Sequence, residues 1–350
     1  MHRFPPRPSG PFHVGTISTT ITDPNRHRFL DDASPGRVLF LKIWYPSNGD
    51  ESAKYPERLW RQLHDADQTP LAIRYLSKWG VRRKSNSYEN LPYVAEAGRP
   101  RLVVYNHGLV SFASENTSLM EHLASHGNTV ISIEHLHQLA EFKRLTGAKT
   151  QAQRDVDKRD LARIQSATGM ERAELSRCFY KGASVTNRIV AARSTDCLYS
   201  LERLPEIIGH LSGIDTAELQ IDNYATVGFS LGGAVSTELA KTDPRVNAAV
   251  NLDGGIYGQT QNQPIACPYL MVYSADNHAS NAICLEWTPD SQETVATYTF
   301  EECRHINLHD ICGILPVLRW LPMTGTARPI DVLQKRNRLI HSFLRENALA

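Results

Sequence analysis

Beyond residue 100, short apolar runs alternate with stretches of helical period. RLVVYN (101–106) is a short apolar run, and NTVISIEH (128–135) is another run typical of a buried strand. Between them, TSLMEHLASHG carries Leu119, Met120 and Leu123 at helical spacing and ends in a glycine. A strand, a helix and a strand in this order predict a mostly parallel sheet with helices on both faces.

The N-terminal part of the chain follows a different pattern. Residues 1–12 are rich in proline and glycine and predict an extended lead-in. Two strand-like runs, 13–23 and 37–46, are joined by a polar connection too short for a crossover helix, so they predict antiparallel neighbours. Residues 47–99 show no clear period, and we assign no elements to them.

The second half of the chain resumes the alternation after a charged, helix-permissive insertion at residues 138–180. An amphipathic helix is predicted from Val185 to Leu204 and another from Val332 to Leu344. Strand-like runs are YATVGF (224–229), VNAAVNLD (246–253), PYLMVYSAD (268–276) and TVATYTFEECRH (294–305). Together these elements predict a single α/β domain over residues 1–350, interrupted by the helical insertion.

The composition of the chain indicates which partners and which cellular compartment to expect. The formal net charge is +1, which argues against nucleic acid or an anionic membrane as the partner. No signal-like segment and no apolar window of membrane-spanning length occur, so we expect a cytoplasmic protein, although a secreted mature form would look the same. Four of the six cysteines fall within 267–312, where one bridge would form only in an oxidising compartment.

One serine stands between a strand-like run and a helix-like run. In Gly228-Phe229-Ser230-Leu231-Gly232, small residues lie two places on either side of Ser230, as a nucleophile on a tight strand-to-helix turn requires. The helix N-terminus beside it would offer backbone N–H groups to a developing oxyanion. The alternative is a Gly/Ser turn that has only a structural role. The strand before and the helix after favour the catalytic interpretation.

Such a serine needs a base and an acid further along the chain. His305 is our choice of base because it follows the last strand-like run, and His309 is the runner-up. The helix pattern makes His341 a surface residue, and His278 lies in a loop. Two acids compete to orient the base, Asp253 and Asp276, each at the end of a strand, and position alone leaves both open. The alternative is that His305 lies in a surface loop and has no catalytic role.

The second half of an oxyanion hole is expected in the loop after an earlier strand. There, in Asn106-His107-Gly108-Leu109, the backbone N–H of Leu109 would pair with that of Leu231, and His107 would brace the loop. A metal site at His107, His135 and His137 is disfavoured because no acid or cysteine falls at ligand spacing. We therefore expect neither a metal nor an organic cofactor.

Several of these segments resemble the plasma/intracellular type II platelet-activating factor acetylhydrolase family of α/β-hydrolases. The similar segments are RPSGPFHVGT with VLFLKIWYPS, the run VVYNHGLVSFASENTSLMEHLASHGNTVISIEH, the segment GFSLGGA, VNLDGG and RHINLHD. We call the strand-to-helix turn around Ser230 in GFSLGGA the elbow. The resemblance implies the α/β-hydrolase fold over most of residues 5–345. One departure is Phe229, where family members commonly carry histidine. The insertion at 138–180 matches least, and we expect it to border the substrate entrance.

The resemblance also implies roles, position by position. The family nucleophile falls on Ser230 and its acid on Asp253 rather than Asp276. The base falls on His305, which is followed by Asn307 and Asp310 as in the family. The oxyanion donors fall on Leu109 and Leu231.

These roles predict a serine esterase that hydrolyses short-chain carboxylic esters through an acyl-enzyme. The resemblance extends this to the sn-2 acetyl or short acyl group of platelet-activating-factor-like or oxidised phospholipids. A transient contact with a lipid surface would follow, and ILPVLRWLP (314–322) is a candidate for it. The alternative is that this segment forms a buried helix and turn without a lipid role. Alternatives are an acyltransferase, a broader polyester- or lipase-type esterase, and a non-catalytic binding protein on the same fold.

Overall fold

The residues that the structure describes form a ten-stranded sheet. The computed structural model describes residues 4–31, 33–49, 56–58, 83–94, 101–109, 111–135, 141–142, 166–209, 211, 221–281, 294–320 and 322–347, together with isolated positions between 145 and 164. The strands are β1 (His13–His27), β2 (Pro35–Ser47), β3 (Pro56–Arg58), β4 (Lys84–Glu89), β5 (Arg101–Asn106), β6 (Asn128–His135), β7 (Tyr224–Phe229), β8 (Val246–Leu252), β9 (Tyr269–Ser274) and β10 (Val295–Phe300).

The order of strands in the sheet is β10-β9-β8-β7-β5-β6-β2-β1-β4-β3. The six strands from β10 to β6 run parallel, while β2 is antiparallel to both β6 and β1. The antiparallel pairing predicted for the two N-terminal runs is therefore confirmed. The parallel strands all end at one edge of the sheet, and the loops that follow β5, β7 and β8 meet there.

Helices cover both faces of the sheet, as the alternation predicts. They are α1 (Thr117–Ser125), α2 (Gly169–Gly182), α3 (Ser184–Glu202), α4 (Leu204–Ile208), α5 (Leu231–Thr242), α6 (His278–Asn281), α7 (Ile311–Ile314) and α8 (Pro329–Asn347), with 3-10 turns at His305–Leu308 and Pro316–Trp320. Among the described residues, no helix is long and apolar enough to cross a membrane.

Two apolar layers hold these helices to the sheet. On one face, α3 and α5 pack on alternate strand residues such as Val104 and Tyr224. On the other, α1 and α8 pack on the intervening residues, Tyr105 and Val227 among them. Successive strand side chains point to opposite faces, so a strand buried on both sides is apolar along its whole length. This explains why β5 and β7 show no polar alternation.

Two expectations about the second half of the chain need correction. His341, predicted to lie at the surface, is half-buried on α8 and stacks on His126 with ring centroids 3.8 Å apart. In the segment 314–322, Ile314 is buried, but the side chains of Val317 and Trp320 are 64% and 74% exposed. The buried reading of that segment is therefore wrong for its second part.

The cysteines are free thiols wherever the structure describes them. These are Cys178, which is exposed, and the buried Cys197, Cys267, Cys303 and Cys312. Cys284 lies outside the described residues. The bridge that the sequence left open does not form between Cys267, Cys303 and Cys312.

Candidate active site

Ser230 occupies a strained turn between β7 and α5. Its backbone has φ 56° and ψ −121°, a left-handed conformation that costs a non-glycine residue of order 1–3 kcal/mol. Two backbone hydrogen bonds hold the turn: the Ser230 N–H donates to the Leu252 carbonyl at 2.8 Å, and the Gly233 N–H donates to the Ser230 carbonyl at 2.9 Å. This conformation lifts the serine hydroxyl clear of the strand and the helix, as a nucleophile requires.

Glycines around the serine allow a backbone approach that no side chain would permit. A Cβ on Gly228 would lie 1.9 Å from the Gly232 carbonyl oxygen, and a Cβ on Gly232 would lie 1.9 Å from the Asn106 carbonyl oxygen. The first contact closes the turn on itself. The second presses the start of α5 against the end of β5, which brings the loop after β5 beside Ser230.

Asp253 and His305 form a hydrogen-bonded pair at the same sheet edge. The Asp253 Oδ2 atom lies 2.6 Å from the His305 Nδ1 atom, and the Asp253 side chain is fully buried while that of His305 is 34% exposed. Asp253 also accepts hydrogen bonds from the Ser274 N–H, the Ser274 hydroxyl and the Asn277 amide, at 2.7, 2.5 and 2.8 Å. These donors satisfy the buried carboxylate oxygens and hold them in one orientation towards the ring.

Asp276, the competing acid, contacts a different part of the histidine. Its Oδ1 atom accepts the backbone N–H of His305 at 3.2 Å and lies 2.7 Å from the Ser274 hydroxyl oxygen. The imidazole nitrogen faces Asp253 instead. Asp276 therefore anchors the main chain of the His305 turn, and the geometry favours Asp253 as the partner of the ring.

The His305 ring rests on the residue that precedes the serine. The Phe229 and His305 rings are stacked, with centroids 4.7 Å apart and planes 20° apart. This contact places the imidazole directly beside the elbow. The 3-10 turn that carries His305 is fixed from behind, because the Asn307 Oδ1 atom accepts the N–H groups of Arg304 and Gly325 at 2.9 and 2.8 Å.

Asp310 anchors the other end of the same turn to α1. Its carboxylate accepts the N–H and the hydroxyl of Ser118 at 2.7 and 2.6 Å, and it pairs with the buried Arg336 at 3.1 Å. The motif residues that follow His305 in sequence are thus structural, because they hold its turn rather than its ring.

The loop after β5 lies against the serine. A Cβ built on Gly108 would lie 3.6 Å from the Ser230 Cβ atom, so the next residue, Leu109, follows directly beside the elbow. Leu231, the first residue of α5, directly follows Ser230 in the sequence. The two backbone N–H groups named from the sequence therefore belong to segments that meet at Ser230.

Two buried charged residues hold this loop from opposite sides. Arg193 of α3 donates to the carbonyl oxygens of His107 and Gly108, the latter at 3.3 Å. Glu115 accepts the Gly108 N–H at 3.1 Å and the Tyr105 hydroxyl at 2.6 Å. Backbone groups on both sides of the Gly108 peptide thus have charged partners, and the loop is held in one conformation.

Burial dominates the electrostatics of these two charges. Burial raises the pKa of Glu115 to about 7, against which its hydrogen bonds from Tyr105 and Gly108 act. Burial also lowers the pKa of Arg193 to about 9, while the nearby carboxylates of Glu115 and Asp196 act in the opposite direction. Arg193 therefore remains charged at neutral pH, whereas Glu115 titrates there.

The runner-up base, His309, is committed elsewhere. Its Nδ1 atom accepts the Ile311 N–H at 2.9 Å, and its Nε2 atom lies 3.4 Å from the Ser111 hydroxyl and 3.6 Å from Glu115. Burial, followed by the charges of Arg336 and His305, lowers its pKa to about 3. His309 is thus a neutral structural group behind Phe229.

Histidines in the disfavoured metal interpretation take structural partners in this fold. The His107 Nδ1 atom lies 2.7 Å from the Gly108 carbonyl oxygen, and the His135 Nδ1 atom lies 2.6 Å from Asp196. Asp196 pairs with Arg37 at 2.6 Å as well, and this ion pair ties α3 to β2. The third residue, His137, lies outside the described residues. His278, the other downstream histidine, starts α6 and packs edge-on against Tyr273.

Part of the 138–180 insertion packs beside the acid. The Tyr180 hydroxyl at the end of α2 donates to the Asn281 side chain at 3.0 Å, and Asn281 lies 3.5 Å from the Asp253 carbonyl oxygen. A cavity of about 540 Å³ lies between α2, the start of α3 and Tyr257. Tyr257 belongs to the loop that follows Asp253, so this part of the insertion borders the sheet edge that carries Asp253.

Sequence reasoning missed Glu115, Arg193, Ser274 and Asn277. Arg193 carried a signal: it falls on the buried stripe of α3, between Ile189 and Cys197, where a charge demands a partner. Glu115, Ser274 and Asn277 had none, because no periodic pattern or motif marks the hydrogen bonds that they make.

Comparison with known proteins gives the same fold. A ferulic acid esterase from Streptomyces cinnamoneus superposes with a TM-score of 0.68 at 18% identity, covering 97% of this chain and 92% of that one. The α/β-hydrolase fold is thereby confirmed. A platelet-activating factor acetylhydrolase from Cavia porcellus is 23% identical over 306 residues, which cover 80% of this chain and 62% of the relative. The alignment with that relative thus spans less than two thirds of its length.

A family model extends over nearly all of the chain. The model described as platelet-activating factor acetylhydrolase, isoform II, matches residues 2–349. It includes the elbow, the Asp253 and His305 pair and the loop after β5. The chain therefore belongs to the platelet-activating factor acetylhydrolase, isoform II, family.

Proposed function

We propose that this protein is a carboxylic ester hydrolase in which Ser230, His305 and Asp253 form a catalytic triad. The observation that carries the proposal is the buried Asp253 carboxylate, 2.6 Å from the His305 ring, which in turn stacks beside the strained Ser230 turn. Membership of the family supports it. A serine hydroxyl becomes an effective nucleophile only when an oriented base takes its proton.

The reaction then follows the acyl-enzyme route. The Ser230 oxygen attacks the ester carbonyl carbon as the His305 Nε2 atom takes the hydroxyl proton, and this proton passes to the leaving alkoxide as the ester C–O bond breaks. Water next attacks the acyl carbon and gives its proton to His305. The second tetrahedral species releases the carboxylic acid and returns the proton to Ser230. Asp253 holds the imidazole tautomer and stabilises the imidazolium.

The backbone N–H groups of Leu109 and Leu231 are the oxyanion donors in this proposal. Their segments meet at Ser230, and Arg193 and Glu115 hold the Leu109 side of the site in place. A preorganised donor pair stabilises the negative oxygen of the transition state without reorganising, and one donor is typically worth about 10²–10³ in turnover.

The proposed substrates are esters with short acyl chains, including the sn-2 acetyl or short acyl group of platelet-activating-factor-like or oxidised phospholipids. Two observations support this choice. The family and the Cavia porcellus relative carry the name of that activity. In addition, Val317, Trp320 and Met323 are large apolar residues that are 64%, 74% and 55% exposed, all within seven positions of one another in the segment that follows α7. Such a surface suits transient contact with a lipid interface.

Acyl-chain preference tests the proposal. We expect p-nitrophenyl acetate and butyrate to be turned over faster than the octanoate, and Ser230→Ala to abolish turnover of all three. Phosphatidylcholine with an sn-2 acetyl group should be cleaved in preference to its sn-2 palmitoyl counterpart. Equal or greater activity on the long chains contradicts the short-acyl assignment, and full activity in Ser230→Ala contradicts the triad.

The lipid contact has its own control. Trp320→Ser should weaken binding to phosphatidylcholine vesicles and leave p-nitrophenyl acetate hydrolysis unchanged, while Trp320→Phe should retain vesicle binding. Equal vesicle binding by all three proteins would contradict a role for this surface.

A further inference from the structure

Three histidines converge on the side of the protein away from Ser230. His122 lies in the last turns of α1, His126 follows directly after α1, and His341 lies on α8. The helix α1 runs from the loop after β5 back to the start of β6, so its end lies at the opposite sheet edge from the elbow. The cluster is therefore separate from the proposed catalytic site.

The rings are close enough to share one ligand. The centroids of His126 and His341 are 3.8 Å apart, and they lie 4.9 and 5.6 Å from the centroid of His122. Each histidine offers one ring nitrogen, and these three nitrogens lie within 4.8 Å of one another. His122 lies within α1 and His126 at its C-terminal cap, four positions later, a spacing similar to that of the two imidazoles in known zinc-binding helices.

The innermost of the three has a nitrogen without a partner. Only 5% of the His122 surface is exposed, and its Nε2 atom has no hydrogen-bond partner among the described residues. A buried polar atom without a partner costs about 1–3 kcal/mol, so such atoms are uncommon unless a ligand or water satisfies them. On the outer side, the Ser9 hydroxyl lies 3.1 Å from the His126 Nε2 atom.

We propose that His122, His126 and His341 form a binding site for a nitrogen-preferring divalent transition metal such as Zn²⁺, Ni²⁺ or Cu²⁺. Nitrogen ligands lie about 2.0–2.1 Å from a tetrahedral Zn²⁺, and hence about 3.4 Å from one another. Rotation of the half-buried His126 and His341 side chains brings their nitrogens inward to this separation, and a solvent molecule completes the coordination. The bound ion links α1 to α8.

The charges around the cluster decide which cations it accepts. Burial lowers the pKa of His122 to about 3 and that of His341 to about 4, and the neighbouring histidines, Arg338 and Arg345 act in the same direction. A metal ion binds only the neutral form of an imidazole. Arginine charge opposes any cation, so binding relies on coordinate bonds to nitrogen. Oxygen-preferring Mg²⁺ and Ca²⁺ should not bind.

The test is titration of the chelator-treated full-length protein with ZnCl₂ and NiCl₂, followed by calorimetry and by the midpoint of thermal unfolding. We expect saturable binding of one ion, a rise in the midpoint, and no response to MgCl₂ or CaCl₂. His341→Gln and His126→Gln should each weaken Zn²⁺ binding roughly tenfold or more. The matched control is His27→Gln, which removes an exposed histidine of β1.

A second control separates this site from the proposed triad. His305→Ala should keep the full Zn²⁺ affinity, because its ring lies at the opposite sheet edge. If His305→Ala abolishes Zn²⁺ binding, or if His341→Gln and His126→Gln bind Zn²⁺ as the parent does, the proposal is overturned. The absence of saturable binding by the parent protein overturns it as well.

Discussion

The imidazole of His305 lies flat against the ring of Phe229, with centroids 4.7 Å and planes 20° apart. Phe229 immediately precedes Ser230, so the plane of the His305 ring is set by the strand residue next to the serine. Asp253 fixes the same ring from its Nδ1 edge at 2.6 Å. Two perpendicular constraints, a hydrogen bond in the ring plane and a stack across it, therefore leave the imidazole one orientation.

Removing the stack should impair turnover without impairing folding. We expect Phe229→Ala to lower kcat about ten- to hundredfold, because the released imidazole spends less time in the productive orientation. Phe229→His, which retains a flat ring, should keep most of the activity. Steady-state kinetics on p-nitrophenyl acetate measure this, with the unfolding midpoint as a control. Equal kcat for the alanine variant and the parent would contradict an orienting role.

The two acids near His305 should differ sharply in their effects. Asp253→Asn removes the acceptor that selects the imidazole tautomer, and we expect kcat to fall by about 10⁴-fold. Asp276→Asn affects the contacts with the His305 main chain and the Ser274 hydroxyl but leaves the imidazole acceptor in place, so kcat should stay within about tenfold of the parent. The pair is matched in chemistry and location. A greater loss in the Asp276 variant would reverse the assignment of the acid.

Most of the fold was predictable from the chain because parallel strands buried on both faces contain short apolar runs. The runs at β5, β6, β7 and β8 stand out for this reason, and the antiparallel start followed from its short connection. The elbow was predictable because a tight turn at Ser230 requires residues without a side chain at positions 228 and 232. These signals are contained within a few neighbouring residues.

The remaining site residues depend on contacts between distant segments. Asp253 and Asp276 each follow a strand, and their positions in the sequence left both open, whereas the fold brings the Asp253 carboxylate within 2.6 Å of the ring. The bond from Arg193 to Gly108 spans 85 positions, which no local pattern reports. The histidine cluster was likewise invisible, since helical period makes His341 a surface residue while packing of α8 on α1 half-buries it.

The charged pair that holds the Gly108 loop should affect catalysis rather than substrate binding. We expect Glu115→Ala to lower kcat about 10²-fold with little change in KM for p-nitrophenyl acetate, because the oxyanion donors lose their fixed position. Glu115→Gln keeps an oxygen acceptor for the Gly108 N–H and should retain most activity.

The matched control is Glu121→Ala, which removes another buried glutamate that accepts a backbone N–H, that of Asn86 at 2.6 Å. It should lower the free energy of unfolding and leave kcat unchanged. If both alanine variants lose kcat equally, the effect of Glu115 is one of general stability only.

Acid should destabilise the fold through neutral buried histidines. Burial lowers the pKa of His309 to about 3. Between that value and the ordinary value of about 6.5, the unfolded chain binds a proton that the folded chain refuses, so stability is fully present above about pH 6.5 and is lost as pH falls. His309→Gln should therefore reduce the slope of the unfolding free energy between about pH 4.5 and 6 by about 1.4 kcal/mol per pH unit.

Urea denaturation at a series of pH values measures these slopes. His27→Gln, at an exposed position, should leave the slope unchanged. An unchanged slope in His309→Gln would mean that this ring accepts a proton in the folded protein.

Covalent labelling of Ser230 tests the central claim most directly. The protein is treated with a fluorophosphonate, digested, and mapped by mass spectrometry, alongside Ser230→Ala and Ser236→Ala. We predict one label per chain, on the peptide that contains Ser230, with hydrolysis of p-nitrophenyl acetate lost in proportion to labelling. Ser236→Ala should label as the parent does, and Ser230→Ala should not label. A folded parent that stays unlabelled, or a label on another residue with activity lost alongside it, would contradict Ser230 as the nucleophile.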